Sequence, residues 1–356
     1  MVATQSLVRG RADRRDRGAA LALATAWLIL AVFATPILMK PWPDVLLRTD
    51  FVSFWTAGHL VREGFGGRLY DLSLQRLVQD ELRAVLATVE RGPLPTGQVP
   101  YHNPPPLALL FVPLSLLPLP TAYLVWTALS SLAFLAAVAL PLRGRPSVWT
   151  PTVLMLTFGG VVDGLIWGQV NGLFLLATSL GLLALSSGRP ALGGALLGLL
   201  WLKPQYAVLF PLVFLLKRRW SELAGMTTVG LAVAAASLAM VGADGVAGYL
   251  ELLNRIGGFR PPPLASVNAH LMVNWRSLLL NVWPGVPEAV GSELMLALAA
   301  ATALASLLAW RGRWDPTSPR FPRQMLVLML ATVLASPHSH YYGTVLLLGP
   351  LSLAIA

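Results

Sequence analysis

The sequence predicts an all-α, polytopic integral membrane protein, and three observations carry that prediction. Hydrophobic residues make up 56% of the chain and charged residues 12%, against about 25% charge in soluble domains. Several apolar stretches reach the roughly 17–25 residues a bilayer crossing needs, most clearly Ala19–Met39, Thr121–Leu140, Leu223–Val241 and Glu288–Trp310. The basic residues behind the net charge of +10 fall in short clusters between apolar stretches. That is the positive-inside pattern of membrane proteins rather than a nucleic-acid face. With no cysteine, disulfides, thiolate nucleophiles and Cys-ligated metals are excluded.

Arg9, Arg11, Arg14, Arg15 and Arg17 precede the first apolar stretch. It is too long for a cleaved signal and lacks a clear small-residue cleavage site, so residues 1–18 are expected to form a basic cytoplasmic tail. Residues 19–356 then form one transmembrane domain. The first span leads into a long external loop, about 40–103. Within it Phe51–Val61 has the aromatics and low charge of an interfacial helix. Asp71 is placed to N-cap a second helix, in which Leu74, Leu77, Val78, Leu82, Val85, Leu86 and Val89 recur at helical spacing, and Gly92-Pro93-Leu94-Pro95 ends it.

Lys217-Arg218-Arg219 and Arg311–Arg323 are strongly basic and expected to be cytoplasmic, flanking two spans and a second external loop, about 242–284. Two arrangements fit the middle. In one, Pro104–Pro118 crosses and Leu192–Leu216 is unbroken, which strands Lys203 near mid-bilayer. In the other neither holds, and Gly168–Asn171 and Lys203 join Asp50 outside. The second is preferred, because a lysine at the bilayer centre costs at least ~2.5–3.5 kcal/mol. About 10–12 transmembrane or re-entrant helices result. Short segments such as Leu192–Leu202 and Met325–Ala335 imply a cavity open to lipid and outer water. No internal repeat of the inverted-repeat transporter kind is evident.

Few polar residues interrupt the apolar background. Asp50 stands at the expected membrane boundary in Arg48-Thr49-Asp50-Phe51. It either caps the Phe51 helix or acts as a general base, its proton affinity raised by apolar surroundings. Asp163 is the other carboxylate inside an apolar segment, a structural polar group or an understudy to Asp50. Gln169 and Asn171 lie between Gly168 and Gly172, forming a tight turn or a pair of amides for a sugar or phosphate. Lys203, immediately before Pro204, snorkels from a helix end or neutralises a lipid phosphate. His338 and His340 suggest hydrogen bonds to an anion more than a metal pair, since no carboxylate partners accompany them. Asn274 and Arg276 in the second external loop suit sugar or phosphate recognition, or only a solvated loop.

Taken in order, these pieces resemble glycosyltransferase family 87, within the membrane-embedded GT-C superfamily. The resemblance runs through Asp50-Phe51, Ala57-Gly58, Leu69-Tyr70-Asp71 and Asn103-Pro104-Pro105, then Pro113-Leu114 and Leu117-Pro118. It continues with Gly168-Gln169-Val170-Asn171-Gly172, Gly193 to Lys203-Pro204-Gln205, Lys217–Trp220 and Ser336-Pro337-His338-Ser339-His340-Tyr341. There are two departures. Asn103 precedes Pro104 where the family more often has an aromatic, and the last apolar segment, Tyr342–Ala356, is short and lacks a basic end.

The resemblance implies a GT-C-like fold and an inverting transferase that needs neither metal nor cofactor. It would move a sugar, mannose or arabinofuranose, from a polyprenyl-phosphate donor to a hydroxyl of a glycolipid or glycan acceptor. The site would face the extracytoplasmic side of the cytoplasmic membrane. The implied base is Asp50. Lys203, His340, His338 and Arg276 would meet the donor phosphate, and Gln169, Asn171, Asn103, Asn274 and Tyr341 the sugar or acceptor. The absence of an Asp-x-Asp motif argues against a metal-bridged nucleotide-sugar donor. A transporter or flippase of lipid-linked sugars is the alternative, and a non-catalytic membrane subunit is a third reading. Substrate movement without covalent transfer distinguishes the transporter, and joint dispensability of Asp50, Lys203 and His340 distinguishes the subunit.

Overall fold

The computed structural model describes residues 46–88, 97–144, 148–261 and 268–356. The basic tail, the first apolar span and the Gly92–Pro95 stop lie outside the described residues. Those residues form helices and turns without a strand; Met272 and His340 pair in one isolated bridge. Among the described residues three helices are long and apolar enough to cross a membrane, or four if one bent pair is a single span.

α1 (Phe51–Arg62) is buried along nearly its whole surface. Aromatic packing holds it within the protein: Phe54 stacks on Phe111 at 4.8 Å and Phe51 meets Tyr123 edge-on at 5.4 Å. α2 (Leu72–Ala87) starts where Asp71 caps it, its carboxylate accepting from the amides of Ser73 and Leu74 at 3.0 and 3.1 Å. Its buried face includes Gln75 and Gln79, while Leu77 and Val85 are exposed. The two glutamines act as a substitute strand. Gln79 donates to the Val99 carbonyl and accepts from its amide, and Gln75 accepts from the Tyr101 amide. This latch sets the position of His102 and Asn103.

Residues 104–118 contain no helix long enough to count as a span. They form two 3₁₀ segments, Pro105–Phe111 and Leu114–Leu116, against α1, where a side chain on Gly58 would collide with the Phe111 carbonyl. α3 (Leu119–Ala139) is the first described span. α4 (Trp149–Leu156) and α5 (Gly159–Ile166) meet at a 56° bend, and α6 (Asn171–Ser186) follows. The stretch expected as Leu192–Leu216 is broken, as the second arrangement requires. α7 (Pro190–Gly198) runs into a 3₁₀ turn, Lys203 is extended (φ −143°, ψ 77°), and α8 (Leu209–Leu216) resumes beyond another turn. The residue before a proline is driven from helical geometry, and here that residue is Lys203.

α9 (Trp220–Gly257) spans 38 residues and kinks at Gly242, whose φ of 68° and ψ of −177° suit glycine. The expected loop from Gly242 therefore begins as a further length of helix. α10 (Trp275–Val282), α11 (Glu288–Leu308), α12 (Phe321–Ala335) and α13 (Leu348–Ile355) complete the chain.

α7 and α9 pack backbone to backbone. A Cβ on Gly194 would lie 2.0 Å from the Glu222 carbonyl oxygen, and one on Gly225 would lie 2.1 Å from that of Ala191. Small residues allow such approach in membrane helices, where packing drives association. Gly194→Leu is expected to destabilise the protein by roughly 1–3 kcal/mol or more through overpacking, read as a lowered thermal midpoint in detergent; Leu192→Ala, at an exposed position, serves as the control.

Candidate active site

Asp50 occupies the position before α1, but its side chain makes no capping bond. The carboxylate instead accepts from Gln169 Nε2 and, at 3.4 Å, from the Tyr342 hydroxyl. A turn delivers Gln169. Gly168 has φ 63°, and a Cβ there would sit 2.5 Å from that of Phe51, so only glycine closes it. The Phe51 amide donates to the Trp167 carbonyl at 3.1 Å and the Trp126 indole to that of Gly168 at 2.9 Å. These bonds pin the turn to α1 and α3.

Lys203 approaches from the broken α7–α8 segment. Its Nζ donates to Gln169 Oε1 at 2.9 Å and to Asn171 Oδ1 at 3.4 Å, and lies over the rings of Tyr342 and Tyr206. Asn171 Nδ2 donates to the Tyr342 carbonyl at 2.7 Å. One glutamine therefore spans a buried acid and a buried base, its oxygen toward the ammonium and its nitrogen toward the carboxylate. Only this orientation of the amide satisfies both charges. Burial pushes the Asp50 carboxyl up to about 6, with the Lys203 charge the largest opposing influence, followed by the Gln169 and Tyr342 hydrogen bonds.

The Ser336–Tyr342 segment forms the next wall. His340 is extended (φ −84°, ψ 171°), so alternate residues share a side. His338 and His340 stand at 5.1 Å, His340 and Tyr342 at 5.4 Å, and His102 meets His338 at 5.0 Å. The Val273 amide donates to the Ser339 carbonyl and Asn274 Nδ2 to that of Ser336, holding the segment in place. Beside it lies a cavity of about 290 Å³, with His102, His338, Tyr249, Leu209 and Ile256 among its lining. Burial holds His102 down, at about 4, and His338 well below the usual histidine range, so both imidazoles are neutral near pH 7.

Of the residues singled out in the sequence, Asp50, Gln169, Asn171 and Lys203 form one connected cluster. His340 adjoins it through Tyr342, and His338 reaches the cavity. Others lie elsewhere. Arg276 is fully buried, but its guanidinium donates to the carbonyls of Ile256 and Gly258 and to the Met272 sulfur. Asn274 caps α10, accepting from the Ser277 amide. Both side chains brace their loop rather than facing the cluster. Asn103 is buried, and its carbonyl accepts from the Tyr70 hydroxyl. Tyr341 is exposed and turned onto Phe158. Asp163 accepts from the Trp167 indole one helical turn along. Tyr342, Tyr206 and His102 are the members missed in the sequence. Tyr342 alone had a signal, the alternation 338, 340, 342. Among the described residues, no group of three His, Asp or Glu side chains is arranged to hold a metal ion.

The fold and the cluster together define a helical membrane protein with one buried carboxylate–amide–ammonium site, built where its short helices break. The chain belongs to glycosyltransferase family 87, whose profile matches residues 101–337. That match includes Gln169, Asn171 and Lys203; Asp50 and the two late histidines fall outside it. A protein of Mycolicibacterium smegmatis is 29% identical over 226 residues, 61% of this chain and 52% of its own. One of Mycobacterium tuberculosis is 28% identical over 256 residues, 69% and 56% respectively. Both are named polyprenol-phosphate-mannose-dependent alpha-(1-2)-phosphatidylinositol pentamannoside mannosyltransferase. The chain spans about half the length of these curated relatives. No solved structure matches it.

Gln169→Ala removes the partner of two buried charges at once. Hydrogen bonds to charged groups contribute roughly 1.5–3 kcal/mol each, so the variant is expected to unfold at lower temperature than wild type, by a margin exceeding that of Leu192→Ala at an exposed position. Calorimetry or a thermal-shift assay in detergent checks this.

Proposed function

We propose that the chain is a membrane glycosyltransferase that moves a mannosyl group from a polyprenyl-phosphate donor to an acceptor hydroxyl, with Asp50 as general base. The reaction takes place on the extracytoplasmic side of the cytoplasmic membrane, without a metal ion. The single observation that carries this reading is the arrangement at Gln169: a basic carboxylate and a cation, both buried, kept apart by one amide. The family and the names of its relatives supply the substrate class.

In this mechanism the acceptor hydroxyl gives its proton to Asp50 as its oxygen bonds to the anomeric carbon. The bond from that carbon to the phosphate oxygen breaks, and its electron pair leaves on the polyprenyl phosphate. Attack opposite the leaving group inverts the anomeric centre. Lys203 has three N–H donors, two of them directed at Gln169 and Asn171. The third is available to an oxygen of the departing phosphate, where fixed positive charge stabilises the transition state. His338, held neutral, contributes hydrogen bonding without charge.

Asp50→Asn is expected to lower transfer by at least about 100-fold while the protein still elutes as a folded species. Unchanged turnover in that variant would sink the assignment. Lys203→Met is expected to lower kcat by about 100-fold. The pH profile provides a separate check. Asp50 is competent only when deprotonated and Lys203, which burial holds down to about 8, only when protonated, so kcat/KM should rise with pH through about 6 and fall again through about 8. A profile flat between about pH 5 and about pH 8 contradicts the role.

A further inference from the structure

The cavity beside the histidines is not accounted for by the chemistry at Asp50. Neither Asp50 nor Lys203 lines it, and none of its lining residues is Asp, Glu, Lys or Arg. Its two imidazoles are uncharged, so the wall as a whole is neutral. Leu209, Leu253 and Ile256 make one side apolar. Two polar atoms in lining residues stand out against this. The Tyr249 hydroxyl and His338 Nδ1 are both buried without a hydrogen-bond partner in the protein, in side chains only 8% exposed. Buried polar groups are nearly always paired, and an exception calls for an explanation.

Three kinds of ligand can be weighed. A phosphate would give up its hydration to a wall with no charge to replace it. An alkyl chain would leave both polar atoms unpaired behind it. A sugar ring offers C–H faces for the aliphatic side and hydroxyls for Tyr249 and His338. At about 290 Å³ the space lies at the small end of the roughly 300–1,000 Å³ typical of ligand pockets, which suits a single ring.

Position separates donor from acceptor. His338 is two ring contacts, of 5.1 and 5.4 Å, from Tyr342, the residue that reaches Asp50. A donor carrying one sugar has to bring that sugar to the base, so it cannot also occupy the cavity. An acceptor of several sugars can place its reacting hydroxyl at Asp50 and a neighbouring unit in the cavity.

We propose that this cavity is a subsite for a non-reacting sugar unit of an oligosaccharide acceptor, with Tyr249 as its specificity-determining residue. The proposal rests on the transferase reading above. Tyr249 lies beyond the Gly242 kink of α9 and is held against Tyr70 at 5.1 Å, whose own hydroxyl is anchored on Asn103. Its ring is thus positioned from outside the catalytic cluster, and removal of the hydroxyl leaves the packing intact.

The test uses the full chain in detergent with a polyprenyl-phosphate-mannose donor and acceptors of one, two and three mannose units. Wild type is expected to prefer the longer acceptors. In Tyr249→Phe the ratio of kcat/KM for trimannoside to that for monomannoside should fall about tenfold, with donor KM unaffected. An unchanged ratio, an equal fall for all acceptors, or a shift confined to donor KM overturns the proposal. Leu253→Phe, which narrows the cavity without touching the hydroxyl, should lower the same ratio. Equilibrium binding by Asp50→Asn protein separates the two readings. Dimannoside should bind about tenfold more weakly when Tyr249→Phe is added, whatever the fate of the base. Mannose 1-phosphate binding that falls on Tyr249→Phe by more than dimannoside binding does would refute the neutral-sugar assignment.

Discussion

Asp50 and Lys203 are buried in the same region without forming an ion pair, because the Gln169 amide sits between them. A direct pair would offset part of the desolvation of both charges, and would also tie up the carboxylate. The amide satisfies each charge with a neutral group and leaves the acid more basic than in water. Much of the nearby architecture serves this spacing. The left-handed turn at Gly168 aims Gln169, the Trp167 and Gly168 carbonyls fix the turn to α1 and α3, and the break before Pro204 takes Lys203 out of its helix. Asn171 shares the ammonium and fastens Tyr342.

The helix breaks follow from the same constraint. Backbone polar groups freed inside an apolar protein need partners, so irregular chain is tolerated there only when other groups receive it. At 98–101 the partners are Gln75 and Gln79. At 336–340 they are Val273 and Asn274, with Arg276 holding the carbonyls on the far side of that loop. Residues that look like ligand contacts in a list of polar side chains are, in this structure, supports for the segments that carry the cluster.

That distinction marks how far the sequence could be read. Asp50, Gln169, Asn171 and Lys203 were legible because polar groups in an apolar chain are costly and are retained where something holds them. The break at Lys203 was legible from Pro204, and the start of α2 from Asp71. Arg276 and Asn274 were read as ligand contacts because their backbone partners lie in segments that no local pattern connects to them. Tyr341 and Tyr342 are chemically alike; which one faces Asp50 depends on the extended backbone at His340. The packing of α1 was not legible because its aromatics are visible in sequence while Phe111 and Tyr123, which cover Phe51 and Phe54, lie far along the chain. The helical course of residues 243–257 was hidden by Gly242, whose left-handed φ kinks the helix without ending it.

The histidines show how burial divides labour within one site. An imidazole at a solvent-facing rim carries charge near neutral pH and competes for anions. His102 and His338, removed from water, lose that charge chiefly to desolvation, aided at His102 by the Lys203 charge and at His338 by the neighbouring His102, His340 and Arg276. Positive charge in this region then rests on Lys203, which the break in α7–α8 holds next to the acid, and on Arg276, which is committed to the Ile256 and Gly258 carbonyls. A ligand that bears charge is drawn toward Gln169, and a neutral portion is tolerated along the histidine wall. On the proposed transferase reading that gradient orders the two substrates: the donor's ionised linkage at the lysine, the acceptor's reacting hydroxyl at Asp50, and the acceptor's uncharged remainder past Tyr342 and His340 toward Tyr249.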